Sequence, residues 1–277
     1  MSIVFKDASF RYANSKKWAV KSLSFRIEPG EKVLISGPSG SGKSTICRMI
    51  NGLIPHFYEG EFKGVVEING LDTRNVRVAR LSRDVGLVFQ NPENQLVALS
   101  VEREISFGLE NLGIKREEIL RRIDWVLRLF NIERLRKRLI HELSGGEKQL
   151  VILAAIVAMK PKILVLDEPT AELDPANSIR LVNMINELSF KLGLTVVIVE
   201  QRVDLIAPIV DRVLVLEEGE IIAYGRPWEV YSIDKVYNSG SAIPKLVELY
   251  YELQRVGVNI DRPALTVEEF LEVLRFK

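Results

Sequence analysis

The segment GPSGSGKS, Gly37 to Ser44, has the residue types and spacing of a phosphate-binding loop. Its glycines let backbone N–H groups close around phosphate oxygens, and the positive end of the helix that follows attracts an anion. Lys43 would reach the terminal phosphates, and the Ser44 hydroxyl is suited to ligate Mg²⁺. The other interpretation is a glycine-rich turn between a strand and a helix, and the complete pattern in this context opposes it.

Two acids end the apolar segment ILVLDEPT, Ile163 to Thr170. Carboxylates at the end of a buried strand are costly unless they have partners or a chemical role. Asp167 is suited to the Mg²⁺ shell, and Glu168 is suited to polarising an attacking water. Because a phosphate-binding loop lies upstream, the pair predicts metal-assisted hydrolysis rather than two acids solvated in a turn.

A third segment, LSGGEKQ, spans Leu143 to Gln149. Its Ser144, Gly145 and Gly146 precede an apolar helix, so they form a second helix start that could bind an anion. Taken alone, a glycine loop that merely caps a helix explains this segment equally well.

These residues need strands that bring them to one edge of a sheet. The β-rich runs IVFKDASF, LSFRI and KVLIS come first, and the third leads into the phosphate-binding loop. The later runs 163–166, 195–199 and 212–216 lack polar alternation, which is typical of parallel strands covered on both faces. A helical pattern lies between the first two of these runs, so we predict an α/β fold built from βαβ units.

Two other regions have helical patterns. We predict an inserted helical subdomain at about 92–158, because residues 100–138 are mostly helical with one apolar stripe. We assign residues 1–227 to the main domain and 228–277 to a small C-terminal helical appendage. In this appendage Thr266 and Glu269 have the spacing of a capping box.

The composition restricts the classes of partner. The 277 residues are 47% hydrophobic and carry a formal net charge of +1, so charge selects neither nucleic acid nor a membrane, and we expect no nucleic-acid partner. The single cysteine, Cys47, excludes a disulfide framework and favours a reducing compartment. The longest apolar run, 150–159, is too short to span a bilayer, and no secretory signal is visible, so any work at a membrane would go through a partner.

Together the three motifs resemble those of ATP-binding cassette (ABC) ATPases. GPSGSGKST is similar to the Walker A motif, LSGGEKQ to the signature, ILVLDEPT to Walker B and AELDP to the D-loop, in the expected order over about residues 1–230. The resemblance implies a P-loop NTPase fold of ABC type, with an N-terminal antiparallel β subdomain, a parallel-sheet core, an inserted helical signature subdomain and the C-terminal appendage. It implies ATP and Mg²⁺ as cofactors.

The resemblance also implies roles for single residues. Gln90 resembles the Q-loop glutamine, which touches Mg²⁺ and senses the γ-phosphate. Tyr12 stands where the family has an aromatic that stacks on adenine, and a strand-end aromatic packed on the sheet is the alternative. The expected nucleotide-binding residues are Tyr12, Gly37, Pro38, Ser39, Gly40, Ser41, Gly42, Lys43, Ser44, Thr45, Gln90, Ser144, Gly145, Gly146 and Glu147. The expected metal ligands are Ser44, Gln90 and Asp167, and the expected catalytic residues are Glu168 and Gln201.

Gln201 departs from the family pattern. A strand after Walker B normally ends in a histidine that contacts the γ-phosphate, but here TVVIV leads to Gln201, and the chain's two histidines, His56 and His141, both precede Walker B. Glutamine can donate a hydrogen bond but cannot titrate. We therefore predict a site that binds ATP well and hydrolyses it slowly.

The family pairs its cassettes head to tail, with ATP between one Walker A and the other signature, so we expect a second ABC ATPase subunit. A homodimer and a heterodimer both fit, and Gln201 favours a heterodimer with a histidine-bearing partner. The segments FQNPENQLVALSVEREISFGLENLG and LVELYYELQRVGVNI are similar to ATPase subunits of energy-coupling factor transporters, which import vitamins or transition-metal ions.

This narrower resemblance implies a transmembrane scaffold, a substrate-binding membrane subunit and a location on the cytoplasmic face of the cell membrane. It also leads us to expect that the apolar faces of the appendage contact the second subunit. The alternatives are a weakly hydrolysing regulatory ABC subunit and a soluble ABC ATPase outside transport. The second lacks support, because Lys43 and Ser144 stand too close for an intervening long coiled coil and one cassette is present.

Overall fold

Six of the strands lie where we predicted β-rich or buried apolar runs in the sequence. A computed structural model describes residues 1–258 and 260–275. Its strands are β1 Ile3–Tyr12, β2 Val20–Ile27, β3 Lys32–Ser36, β4 Gly60–Ile68, β5 Leu71–Asp72, β6 Val85–Val88, β7 Ile163–Asp167, β8 Thr195–Val199, β9 Arg212–Glu217 and β10 Glu220–Gly225.

The strands form two sheets. The first is antiparallel in the order β2-β1-β4-β5, and the second has the order β10-β9-β3-β8-β7-β6. In the second sheet the strands from β9 to β6 are parallel, and β10 pairs antiparallel with β9 at the edge. This agrees with the predicted N-terminal antiparallel sheet and parallel-sheet core.

The helices connect and cover these sheets. They are α1 Lys43–Asn51, α2 Leu53–His56, α3 Val78–Leu81, α4 Val101–Asn111, α5 Arg116–Leu129, α6 Gly145–Ala158, α7 Pro175–Leu192, α8 Val203–Ile206, α9 Pro227–Val230, α10 Asp234–Asn238, α11 Lys245–Arg255 and α12 Val267–Arg275. Short 3₁₀ turns occupy Pro92–Asn94, Glu133–Leu135, Ile140–Glu142 and Ala207–Ile209.

The core has two parts, one on each face of the second sheet. Leu164 and Leu166 of β7 pack in one cluster with α6, α7 and the helices of the inserted region, whereas Ile163 and Val165 pack in the other cluster with α1 and the first sheet. Every residue of β7 and β8 is buried, which is why their sequences show no polar alternation. The sheet is therefore held from both sides, and the ends of its strands are fixed in position.

The tail packs differently from our expectation. Val247, Tyr250 and Tyr251 of α11 are buried in the same cluster as α6 and α7, and the Tyr251 hydroxyl donates to the Tyr231 carbonyl at 3.2 Å. The expectation that the apolar faces of the appendage serve a second subunit is therefore wrong for α11. Residues 259, 276 and 277 of the predicted appendage lie outside the described residues.

Four strands have no counterpart in the predicted runs. They are β4, β5, β6 and β10, each of which contains a glycine or lies next to one. In β4, Gly64 has φ of 73°, and a Cβ there would come within 2.2 Å of the Asp7 carbonyl oxygen. Glycine marks an irregularity of the strand at this point and interrupts the alternating pattern.

Candidate nucleotide site

Four parallel strands end side by side at one edge of the second sheet. Leu166 pairs with Val88 on one side and with Ile198 on the other, and β3 lies next to β8. The residues that follow these strands are therefore neighbours in space although they are far apart in the chain. Ligand sites of open α/β sheets form at this kind of edge.

The phosphate-binding loop connects β3 to α1 and needs its glycines. Gly37 has φ of 146° and Gly42 has φ of 106°. A Cβ at Gly37 would lie 2.2 Å from the Leu216 carbonyl oxygen, and one at Gly42 would lie 2.3 Å from the Ala19 carbonyl oxygen. Both positions are closed to side chains by backbone approach as well as by conformation.

Lys43 is folded onto this loop. Its side chain is buried, and its ammonium donates to the Gly37 and Pro38 carbonyls, each at 2.8 Å. Burial lowers the pKa of Lys43, and the nearby carboxylates of Glu168 and Asp167 oppose that shift. The ammonium is thus held at the loop that would surround the phosphates.

Ser44 and Asp167 meet at the centre of the site. The Ser44 hydroxyl donates to Asp167 Oδ1 at 3.2 Å, and burial raises the pKa of Asp167. A cation would favour the ionised form of such a carboxyl, and hydroxyl and carboxylate oxygens are the ligands that Mg²⁺ takes. The chemistry of this donor pair fits the predicted metal.

Glu168 lies between two glutamine amides. Gln90 Nε2 donates to Glu168 Oε2 at 2.7 Å, and Gln201 Nε2 donates to Oε1 at 2.8 Å. The backbone of Glu168 has φ of 50°, in the left-handed region that non-glycine residues rarely adopt. Strain at an acid that is oriented by two amides indicates a functional position.

Tyr12 lies beside the start of α1. Its hydroxyl is 3.1 Å from Thr45 Oγ1 and accepts a hydrogen bond from Arg48 at 2.8 Å. Its ring meets the rings of Phe10 and Tyr58 edge to face, with centroids 4.9 and 6.0 Å away. Tyr12 therefore lies next to the helix that follows the phosphate-binding loop. Its stacking on adenine stays a prediction.

The signature residues lie apart from this cluster. Ser144 caps α6 by accepting from the Glu147 N–H at 3.3 Å, and Glu147 returns a bond by accepting from the Ser144 N–H at 3.1 Å. Glu147 also pairs with Arg134 at 2.8 Å. The structure thus brings together the P-loop, Walker B, Gln90 and Gln201, and places Ser144, Gly145, Gly146 and Glu147 in the helical region.

Sequence reasoning missed Glu200, which is 3% exposed at the end of β8. Its carboxylate accepts from the Thr170 hydroxyl at 2.5 Å and from the Thr170 N–H at 2.9 Å. The signal was available, because Glu200 is an acid at the end of a buried strand, as Asp167 is.

Comparison with known proteins identifies the family. The model of the ABC transporter family matches residues 20–171. A chain of Pyrococcus horikoshii named as an ABC transporter ATP-binding protein is 43% identical over 99% of this chain and 96% of its own length. The chain belongs to the ABC transporter family. The predictions of an ABC-type P-loop fold and of an ATPase are confirmed.

Two further relatives are more specific. The energy-coupling factor transporter ATP-binding protein EcfA1 of Clostridium perfringens is 38% identical over 97% of this ABC ATPase and 96% of its own length. CbiO1 of Clostridium perfringens, part of the ABC transporter complex CbiONQ, has a TM-score of 0.76 at 31% identity, covering 92% of this chain and 96% of that one. The predicted similarity to energy-coupling factor ATPases is therefore confirmed.

A third neighbour bears on assembly. A bacterial ABC transporter cassette solved as a dimer matches with a TM-score of 0.71 at 27% identity, over 81% of this chain and 98% of that one. It has also been solved in a post-hydrolysis state with ADP and phosphate. Among the described residues of the ABC ATPase, no helix has the length and apolar character needed to cross a membrane.

Proposed function

We propose that this ABC ATPase is the ATP-hydrolysing subunit of an energy-coupling factor importer for a vitamin or a transition-metal ion. One observation carries the catalytic part of the proposal: Lys43, Ser44, Asp167 and Glu168 meet at the ends of β3 and β7, with an amide on each oxygen of Glu168. The similarity to EcfA1 and CbiO1 supports the type of importer.

The residues have separate tasks in hydrolysis. The Lys43 ammonium and the loop N–H groups bind the phosphates, and Glu168 accepts a proton from the attacking water. Ser44, Asp167 and the carbonyl oxygen of Gln90 are the groups that would hold Mg²⁺. When bound, the ion neutralises charge on the phosphate oxygens. Gln90 and Gln201 hold the Glu168 carboxylate in a single orientation through their amide bonds.

A second subunit completes the site. Ser144 caps α6 and is not among the residues that surround the chain's own phosphate-binding loop. We therefore propose that it faces the nucleotide of a partner ATPase. Gln201 supports a heterodimer, because a partner with a titratable histidine would supply the faster site. In this arrangement the chain lends its signature to the partner and works at the cytoplasmic face of the membrane, bound to a transmembrane scaffold and a substrate-binding subunit.

One observation favours a second candidate function. With Gln201 beside Glu168, the chain also fits a regulatory subunit that binds ATP and rarely hydrolyses it. Single-turnover hydrolysis at the chain's own site, measured in a complex whose partner carries glutamine in place of its Walker B glutamate, separates the two functions. Hydrolysis abolished by Glu168→Gln supports the catalytic subunit, and hydrolysis that does not depend on Glu168 supports the regulatory one.

The segment after Gln90 is expected to contact the transmembrane scaffold. Leu99 is 83% exposed and Glu93 is exposed beside α6, whereas Gln95 is tied to the backbone of β6 by its amide, at 2.8 Å from the Leu87 carbonyl. We expect cysteines at Glu93 and Leu99 to cross-link to cytoplasmic loops of the scaffold. Mass spectrometry of the linked peptides measures this.

A cysteine at Phe190 is the matched control. Phe190 is 90% exposed near the end of α7, which leads to the start of β8 at the opposite edge of the sheet. Scaffold cross-links from Phe190 but not from Glu93 or Leu99 would contradict the proposed docking face.

The exposed face of α12 is one apolar surface of the tail that remains available for a subunit contact. Val267 is 58% exposed and Leu271 is 48% exposed. We expect the double change Val267→Asp and Leu271→Asp to raise the dissociation constant of the ATPase pair at least about tenfold, because two carboxylates would be buried without partners in an apolar contact. Analytical ultracentrifugation measures the pairing.

Two other variants separate pairing from folding. Phe190→Asp, on a different exposed surface, should leave pairing unchanged. Deleting residues 241–277 removes Val247, Tyr250 and Tyr251 from the core, so it is expected to lower the unfolding temperature. Unchanged pairing in the α12 variant would remove this contact from the proposal.

A further inference from the structure

Three consecutive residues after β8 bond to separate points of the segment that follows β7. Glu200 accepts from Thr170, and Gln201 donates to Glu168 at 2.8 Å. The Arg202 guanidinium donates to the Leu173 carbonyl and to the Ser178 hydroxyl, both at 3.0 Å. The residues before and after Gln201, as well as Gln201 itself, therefore bond to the segment that runs from Walker B to the start of α7.

Glu200 is the centre of these contacts. Besides the two bonds from Thr170, its second oxygen accepts from the Gln201 N–H at 2.9 Å and from the Arg202 N–H at 3.2 Å. A carboxylate that is 3% exposed is costly unless its oxygens are satisfied, and here four donors satisfy them. Two of these donors are the backbone N–H groups of the next two residues, so the carboxylate fixes the backbone that carries Gln201.

This arrangement determines where the Gln201 amide points. The Gln201 side chain is exposed, with its amide bonded to Glu168 Oε1. Little packing holds an exposed glutamine, so the direction of its backbone decides whether the amide reaches the carboxylate. Thr170 is fully buried two residues after Glu168 and gives Glu200 a rigid reference point.

We propose that Glu200 is a positioning residue for ATP hydrolysis, acting through Gln201. Its carboxylate holds the Gln201 backbone against Thr170, so that the amide stays on Glu168. The proposal rests on the proposed catalytic role of Glu168. It implies that Glu200 affects the hydrolysis rate and leaves ATP binding unchanged, because its bonds go to Thr170, Gln201 and Arg202 and not to the P-loop.

A double-mutant cycle on the full-length protein, paired with a partner ATPase whose Walker B glutamate is replaced by glutamine, tests this at the chain's own nucleotide site. Glu200→Gln exchanges an acceptor oxygen for an NH₂ group, which cannot accept from backbone N–H groups. We expect the single-turnover rate constant to fall about tenfold while ATP affinity stays within about twofold. In a Gln201→Ala background the same change should alter the rate less than about twofold, because alanine has no amide to donate to Glu168 and Glu200 then has no side chain to position.

A pair of variants at Thr170 keeps the test valid if Glu200→Gln does not fold. Thr170→Ser keeps the hydroxyl that donates to Glu200 and should keep the rate, whereas Thr170→Val should lower it in the same direction as Glu200→Gln. Equal activity of the serine and valine variants would overturn the proposal. So would a loss from Glu200→Gln that is the same with Gln201 and with Ala at that position.

The Glu168→Gln variant, measured in the same complex with the inactive partner site, separates this proposal from the proposed function. If Glu168→Gln abolishes hydrolysis and the cycle is additive, the catalytic role of Glu168 stands and the role of Glu200 falls. If Glu168→Gln hydrolyses ATP at the normal rate, both fall.

Discussion

Replacing Lys43 by alanine is expected to lower the affinity for Mg·ATP by roughly 10- to 100-fold, the loss of a charge-assisted hydrogen bond to phosphate. The ammonium is already buried at the loop, held by the Gly37 and Pro38 carbonyls at 2.8 Å. Binding exchanges these carbonyls for phosphate oxygens, so the charge needs no ordering when the nucleotide arrives. Isothermal titration with a non-hydrolysable analogue measures the affinity.

Lys32→Ala is the matched control for this prediction. Lys32 begins β3, the strand that leads into the loop, and its ammonium donates to Asn186 at 2.8 Å, away from the phosphate-binding segment. The control should bind nucleotide normally. Unchanged affinity in Lys43→Ala, with the protein folded, would remove the P-loop assignment.

Local signals in the sequence were sufficient for the strands that carry the chemistry. The runs at β3, β7 and β8 are apolar without alternation, and each is followed by polar residues, so both the strands and the edge where they end could be predicted. The convergence of Glu168 and Gln201 follows from the pairing of β7 with β8, which a βαβ pattern implies.

Long-range partners could not be predicted in the same way. The burial of α11 depends on which surface its apolar stripe meets, and the stripe itself is the same for an intramolecular core and for a subunit contact. Glu200 is visible in the sequence as an acid at a strand end, but its hydrogen-bond donors are not. Two of the four belong to Thr170, and the other two are the backbone N–H groups of Gln201 and Arg202. The fold, not the local pattern, determines those contacts.

The Gln201 contact changes what the glutamine is expected to do. In the structure its amide donates to Glu168 at 2.8 Å, a contact that can orient the acid although glutamine cannot move a proton. A site that binds ATP and turns it over slowly stays a prediction. The proposed slow site also gives a reason for pairing with a different ATPase. In such a pair this chain's signature would complete the partner's faster site, and the partner's signature would complete the slow site.

Ser144→Arg tests this division of labour and has the largest expected effect on turnover. Ser144 is exposed at the start of α6, so an arginine can be accommodated in the monomer. In the proposed dimer the arginine would fill the space of the partner's γ-phosphate. We expect most steady-state hydrolysis to be lost, a fall of about 100-fold, because the faster site is closed. The rate is measured by phosphate release from the assembled complex.

The matched changes are Ser144→Ala and Gln201→His. Alanine removes the cap on Glu147, which costs about 1 kcal/mol of stability, but adds no bulk, so it should reduce turnover far less than arginine. Gln201→His places a donor that can also titrate beside Glu168, and turnover should stay equal or rise. If Gln201→His instead destroys activity and Ser144→Arg is harmless, the chain's own site does the chemistry and glutamine is its working residue.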